Sequence, residues 1–252
     1  MKSSLSSSLA VLLATTTLSA AAAPVVSDNG RVQVGVTTLT GFASDFDNYD
    51  PDTGTASVQL DYNPASSTTY RTQASALSRR FSDPDEPNFF LAASSQLNLT
   101  RAATDPNASG FAGTEPGRSV SFTSLGGELR LDYALTGSAT VTNEAQANNS
   151  FAQTRLVVGT DASTASLLNL YYASPNPEGF NESGFITFLT EPGEVVTVIL
   201  DAGASGYLGG SETAADVRNF SRVTVSPVPE PASLLLLAGL ALPAALRRRR
   251  PV

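Results

Sequence analysis

Arg31-Val32-Gln33-Val34-Gly35-Val36 places a valine at every second position, with polar or small residues in between. Side chains alternate between the two faces of a β-strand, so this stretch predicts a strand with one buried face. Similar alternation recurs at 57–62, 119–122, 128–133, 185–188, 195–200 and 222–225. Gly- and Pro-rich stretches at 51–54, 115–117, 126–127 and 191–194 predict turns that separate these strands.

The strand pattern sets the expected fold class. No stretch of residues 23–226 keeps a helical period over twelve residues, apart from a candidate helical turn at 213–217. Many short strands separated by Gly and Pro turns are typical of β-sandwiches, and about 200 residues suffice for one core. We therefore predict an all-β protein with a single jelly-roll-like β-sandwich, whose last strand is 218–226.

The composition argues against enzymatic activity. The 252 residues include no Cys, His or Trp, which excludes thiolate nucleophiles, Cys-ligated zinc and histidine bases. No G-x-S-x-G stretch marks a serine hydrolase. A carboxylate pair for glycoside hydrolysis, such as Glu128 and Asp132, is unspecific in a chain with 23 acidic residues. The sequence thus predicts a non-enzymatic protein.

The charge excludes some partners. The net charge is −8, and setting aside Lys2, Arg247–Arg250 and Glu230 leaves 10 basic and 22 acidic residues, a net charge of −12 for residues 23–226. Such a field repels nucleic acid and anionic lipid. We therefore expect no nucleic-acid partner.

One acidic cluster is a candidate metal site. Asp45, Asp47, Asp50 and Asp52 lie close together and precede Gly54, and calcium prefers six to eight oxygen ligands. The spacing does not match a full EF-hand, and a solvated acidic loop is the alternative. No other cofactor is expected.

Five aromatic residues in the C-terminal half of the chain form a candidate ligand-binding site. An aromatic platform for sugar rings is one interpretation, and packing in the core or at its rim is the other. The residues are Tyr171, Tyr172, Phe180, Phe185 and Phe188.

The N-terminus is typical of a secretory signal peptide. Lys2 precedes an apolar stretch from Leu9 to Leu18, and Ala20 and Ala22 satisfy the A-x-A cleavage pattern. We expect residues 1–22 to form a signal helix that signal peptidase removes after Ala22.

The C-terminus predicts a short membrane helix. The 15 residues Ala232–Leu246 are almost all apolar, and as a helix they rise about 23 Å against a hydrocarbon core of about 30 Å. Arg247, Arg248, Arg249 and Arg250 follow at once and should stay cytoplasmic as a membrane stop. Pro229 and Pro231 flank Glu230, so the chain just outside the membrane should be extended, as a peptidase cleft requires.

The motif Val228-Pro229-Glu230-Pro231, the apolar stretch and the arginine stub closely resemble, in this order, the PEP-CTERM sorting signal of Gram-negative bacteria. The resemblance covers residues 228–250 and leaves the central domain unassigned. It implies recognition of the tripeptide by an exosortase-like membrane peptidase, which removes the tail and delivers the protein to the cell surface. Some ice-binding proteins carry the same signal.

These observations predict three parts: signal peptide 1–22, exported domain 23–226 and sorting signal 227–252. The expected function is that of a surface or extracellular-matrix protein, associated with biofilm or extracellular polysaccharide. The expected location is the inner membrane transiently, then the cell surface or matrix. The alternative is a carbohydrate-binding or ice-binding β-sandwich module.

Overall fold

The described part of the chain is almost entirely β-strand and contains no helix. A computed structural model describes residues 25–38, 41–50, 55–62, 70–77, 89–101, 107–114, 118–142, 150–163, 165–175, 179–210 and 212–228. These residues form β1 (Val25–Asn29), β2 (Arg31–Thr38), β3 (Gly41–Asn48), β4 (Thr55–Tyr62), β5 (Tyr70–Leu77), β6 (Phe89–Thr100), β7 (Ala108–Thr114), β8 (Arg118–Thr142), β9 (Phe151–Thr160), β10 (Leu168–Pro175), β11 (Gly179–Leu208) and β12 (Ala214–Pro227). The predicted all-β class is confirmed.

All the strands belong to one antiparallel sheet that curls. Its main path runs β3-β2-β7-β11-β8-β12-β6-β5-β4, while β9 and β10 extend from β11 and β1 pairs with β8. The first and last strands of this path are consecutive in the chain, and a bridge between Asp50 and Thr55 joins them. The sheet therefore bends far enough for its two ends to meet.

Two predicted turns are bends within long strands. Gly126 and Gly127, with φ of 88° and 98°, lie inside β8, and Gly193, with φ of 92°, lies inside β11. The two sites face each other, because Pro192 pairs with Leu125 and the register shifts between Pro192 and Val195. The turn prediction at 126–127 and 191–194 was wrong because both strands bend at the same level, so their ladder continues past the glycines.

The helical turn predicted at 213–217 is also absent. Residues 214–217 open β12, where Ala215 and Val217 point into the core with alternating polar neighbours. Pairing with β6 on one side and β8 on the other supplies the backbone hydrogen bonds that a helix would otherwise provide. The last strand is thus 214–227 rather than 218–226.

The core consists of two clusters of buried apolar side chains. The first core cluster includes Val34, Leu97 and Leu208, and the second includes Leu131, Leu156 and Val198. The alternating valines of β2 are fully buried, as the sequence predicts. Both clusters draw residues from β6, β8, β9, β11 and β12, so the same strands span the whole core.

Candidate ligand-binding groove

Two neighbouring glycines create a trough on the outer face of the sheet. Gly113 of β7 and Gly203 of β11 pair directly with each other. Gln33 of β2 pairs with Gly113 on one side, and Gln153 of β9 pairs with Gly203 on the other. Because the two central positions carry no side chain, a depression of about 380 Å³ opens there, which we call the glycine groove. It crosses three strand spacings, about 14 Å.

One wall of the glycine groove is aromatic. Phe111 and Phe151 stand on either side of Ser205, at paired positions on β7, β11 and β9. The Phe111 ring lies over Gly35 of β2, where an added Cβ would come within 2.4 Å of the ring. The absence of a side chain at Gly35 therefore lets the Phe111 ring lie against the sheet, while 36% of that residue stays exposed to solvent.

The opposite wall combines charge with an aromatic ring. Asp201, Arg155 and Tyr171 occupy directly paired positions on β11, β9 and β10. Tyr171 is 63% exposed, and its hydroxyl donates a hydrogen bond to Gln153 Oε1 at 3.3 Å. The Gln153 side chain also leans over Gly203, since a Cβ there would lie 3.1 Å from Gln153 Cγ. The groove thus presents aromatic rings, a carboxylate, a guanidinium and amides around a bare backbone floor.

This set of groups suits a ligand with many hydroxyls and apolar ring faces. Aromatic rings pack against the C–H faces of such a ligand, while carboxylate, guanidinium and amide groups hydrogen-bond its hydroxyls. A few polar groups converging on a partly apolar depression are typical of small-molecule sites. The chemistry therefore fits a sugar chain lying across the strands.

The predicted aromatic platform is divided by the structure. Tyr171 belongs to the glycine groove, but Tyr172 and Phe180 face inward, with their rings stacked at 5.8 Å between centroids. Burial raises the pKa of the Tyr172 hydroxyl, and the charges of Glu182 and Tyr133 add to that rise. Phe188 also packs against the second core cluster. The platform fails because adjacent residues of a strand point to opposite faces.

Phe185 lies on a different surface from Tyr171. The guanidinium of Arg130 lies 4.3 Å from the centre of its ring and forms a salt bridge of 2.7 Å to Asp132. Asp132 is therefore already engaged, and with Glu128 it forms the unspecific carboxylate pair noted in the sequence. Nothing in this arrangement brings the two acids to the glycine groove.

A larger depression of about 500 Å³ lies on another part of the sheet, around Arg218 and Phe220. Arg218 is held by Asp216 through hydrogen bonds of 2.7 and 2.9 Å, which also raise the pKa of its guanidinium. Phe220 is the exposed aromatic residue there, and small Ser and Thr side chains form much of the remainder. The glycine groove offers more ring surface and more varied polar groups.

The predicted calcium cluster is only partly described. Asp45 and Asp47 lie on β3, and Asp47 Oδ2 accepts a hydrogen bond of 2.9 Å from the Ser57 amide of β4. Asp50 lies in the bridge to Thr55, and Asp52 is outside the described residues. Across the described ranges, no three Asp or Glu side chains form a group suited to a metal ion. Calcium at this cluster stays a prediction.

The sorting residues lie almost wholly beyond the described residues. Ala20, Ala22, Pro229, Glu230, Pro231 and Arg247–Arg250 are not among them, and neither are the two predicted terminal helices. Val228 is described, and its amide donates a hydrogen bond of 2.9 Å to the Glu128 carbonyl. In the portion that the structure covers, no helix has the length and apolar character needed to cross a bilayer.

Comparisons with known proteins identify no family. No model of a known protein family matches the sequence, and no curated protein matches it. Among solved structures, the enzymatically active domain of bacteriophage CBA120 tailspike protein 4 is 7% identical over 52% of this chain and 17% of the tailspike chain, with a TM-score of 0.15. A likeness this low carries no argument about fold or function.

Sequence reasoning missed most of the glycine groove. It singled out Tyr171 but not Gln33, Phe111, Phe151, Gln153, Arg155 or Asp201. The available signal was glycine at outward positions of predicted strands, since Gly weakens a strand and often marks a close approach or a ligand. Gly35 and Gly203 both lie within or next to alternating stretches.

Proposed function

We propose that the chain is an exported, non-enzymatic surface or matrix protein, sorted through a PEP-CTERM-type signal. The observation that carries this proposal is the order of Pro229-Glu230-Pro231, Ala232–Leu246 and Arg247–Arg250. In this proposal signal peptidase removes residues 1–22, and an exosortase-like peptidase acts near Glu230. The β-domain is thereby delivered to the surface or matrix of a Gram-negative bacterium.

The finer architecture is also part of the proposal. We infer that the curled sheet packs as a single sandwich, because β8 and β11 bend together and each core cluster combines residues from distant strands of the sheet path. The surface of the sheet that faces away from the core is then free to bind a ligand. The glycine groove lies on that surface.

The arginine stub provides the test of sorting. Changing Arg247–Arg250 to Ser should lower the fraction of protein at the cell surface several-fold, because the charge that stops translocation is lost. Changing the same four residues to Lys keeps that charge and should preserve delivery. Cell fractionation with intact mass of the exported form measures both. Full delivery of the Ser variant would refute the assigned role of the stub.

The second proposed function is binding of an extracellular polysaccharide in the glycine groove. The observation that favours it is the pair of unsubstituted positions, Gly113 and Gly203, between an aromatic and a charged wall. The groove crosses the strands and remains open, as a polymer without free ends requires. In this proposal the exported protein attaches to the polysaccharide of its own matrix.

Polysaccharide binding is tested by adding a side chain to the floor of the groove or by removing an aromatic ring from its wall. Gly203→Val should fill the trough, and the strand should tolerate the change because the three atoms nearest its Cβ all belong to the flexible Gln153 side chain. Tyr171→Ala should weaken binding about 3- to 10-fold, through loss of one aromatic contact. Phe220→Ala removes a similarly exposed ring outside the groove and should leave binding unchanged.

The measurement is a glycan array followed by titration of the best ligand. Thermal hysteresis of the same protein distinguishes the ice-binding alternative, which needs a flat lattice of hydroxyls rather than a groove. Equal binding by the Gly203→Val and parent proteins would place the ligand elsewhere. Hysteresis without glycan binding would favour ice.

A further inference from the structure

The folded sheet reaches directly to the sorting signal. Pro227, the last residue of β12, pairs with Leu129, and the Val228 amide is hydrogen-bonded to the Glu128 carbonyl at 2.9 Å. The apolar stretch begins at Ala232. Four residues of fully extended chain span at most about 14 Å. This end of the sheet therefore lies within that distance of the start of the apolar stretch.

Three exposed leucines lie at the same end of the sheet. Leu189, which is 80% exposed, pairs with Glu128, the residue that binds the Val228 amide. Leu125, 45% exposed, lies just across the bend of β8, opposite Pro192. We call Leu125, Leu167 and Leu189 the leucine end.

The third leucine is brought to this end by the loop after β9. Leu167 is 41% exposed, and its amide donates to the Val158 carbonyl at 2.8 Å. At the start of the same loop, the Asp161 amide donates to the Val195 carbonyl at 3.0 Å, and Val195 pairs with Thr123. The loop thus lies beside the bend that carries Leu125. In the part of the chain that the structure covers, these three are the large aliphatic side chains that remain exposed.

Internal packing explains the bend but not the leucines. The buried hydroxyls of Ser124 and Thr190 lie 2.6 Å apart, and Thr190 also donates to the Gly127 carbonyl at 3.1 Å. These hydrogen bonds hold the bend through Ser124, Thr190 and Gly127 and do not involve the leucine side chains. Large aliphatic side chains that stay substantially exposed, and recur at one end of the molecule, indicate contact with another apolar phase.

We propose that the leucine end rests in the headgroup region of the lipid bilayer while Ala232–Leu246 is inserted. This inference depends on the proposed sorting function, which supplies the membrane. Lipid is favoured over a second copy of the chain because the short tether of Val228 to Pro231 holds this end against the bilayer. The contact presents the sorting motif at a fixed height above the membrane.

The charges at this end define the kind of lipid. Glu128, Glu191 and Asp161 are exposed around the leucines, and Glu194 accepts a hydrogen bond from the Glu191 amide. Arg130 is already paired with Asp132. An acidic rim is repelled by anionic headgroups, so the contact is apolar rather than electrostatic. We expect it on zwitterionic lipid, weakened by added phosphatidylglycerol.

The absence of cysteine allows single-site fluorescent labels on the full chain. Leu189→Cys reports the leucine end, and Gly239→Cys reports insertion of the apolar stretch. Thr142→Cys is the control, because it is exposed on the same strand, roughly 45 Å from Glu128 along β8. Each variant carries an environment-sensitive dye and is reconstituted into phosphatidylcholine vesicles with nitroxide-labelled lipid.

We expect strong quenching at positions 239 and 189, and at least five-fold weaker quenching at 142. Quenching at 239 without quenching at 189 overturns the leucine contact but leaves membrane insertion intact. Absence of quenching at 239 overturns insertion and the contact together. A concentration-dependent shift of the 189 dye without vesicles assigns the leucine end to a second copy, which also overturns the lipid assignment.

Discussion

At the scale of single residues, a buried polar network stands between the two core clusters. Thr154 of β9 hydrogen-bonds Asn219 and Ser221 of β12 at 2.8 to 3.0 Å, and Asn219 also donates to the Gln153 carbonyl. All three side chains are at least 95% buried. A buried polar group is tolerated only when its partners are in place, so each member depends on the others.

The network predicts an asymmetric mutational response. Asn219→Ala should lower the free energy of unfolding by about 2–3 kcal/mol, because it leaves the Thr154 hydroxyl and the Gln153 carbonyl short of partners. The matched control is Asn181→Ala, which changes an exposed asparagine of β11. It should change the free energy of unfolding by less than about 0.5 kcal/mol. Urea unfolding measures both.

A triple replacement distinguishes a network from simple packing. Changing Asn219 to Leu, Thr154 to Val and Ser221 to Ala together removes all three polar side chains and leaves only the Gln153 carbonyl without its partner, so it should recover the part of the loss that comes from the Thr154 hydroxyl. A triple variant that is no more stable than Asn219→Ala would mean that shape, rather than unsatisfied hydrogen bonding, explains the effect. The comparison needs the same urea range for all variants.

At the scale of elements, alternation predicted strands well because burial on one face is a local property. The valines of β2 and the alternating residues of β4, β8, β11 and β12 lie where the pattern places them. Strand ends were harder to predict. A Gly-Gly pair at 126–127 either ends a strand or bends it, and the outcome depends on whether the partner strand bends at the same level. Pro192 and Gly193 supply that bend some 65 residues later in the sequence.

The glycine groove could not be predicted from the sequence for the same reason, since it depends on which strands are neighbours. Its side chains come from β2, β7, β9, β10 and β11, which are adjacent only because the sheet path places β7 and β11 between β2 and β9. Tyr171 was predicted from its own residue type, since an aromatic ring is informative by itself. Gly113 and Gly203 act through the absence of a side chain, and that absence has meaning only once the neighbouring strands are known.

At the scale of the whole molecule, the long strands connect the two core clusters. β8 supplies Ala139 to the first cluster and Leu131 to the second, and β11 supplies Leu208 and Val198 in the same way. Each strand keeps continuous pairing across the boundary between the clusters, β8 with β12 and β11 with β9. Unfolding one cluster would therefore break hydrogen bonds that hold the other, which favours a single cooperative unit.

Because the strands are shared, we expect a destabilising substitution in either cluster to lower the stability of both. Leu97→Ala in the first cluster and Leu156→Ala in the second remove fully buried side chains and should each lower stability by about 2–5 kcal/mol. Amide hydrogen exchange, measured separately at Val34 and Val198, should then accelerate by the same factor at both positions in each variant. If each substitution accelerated exchange only in its own cluster, the sheet would comprise two units, and the shared strands would transmit no stability between them.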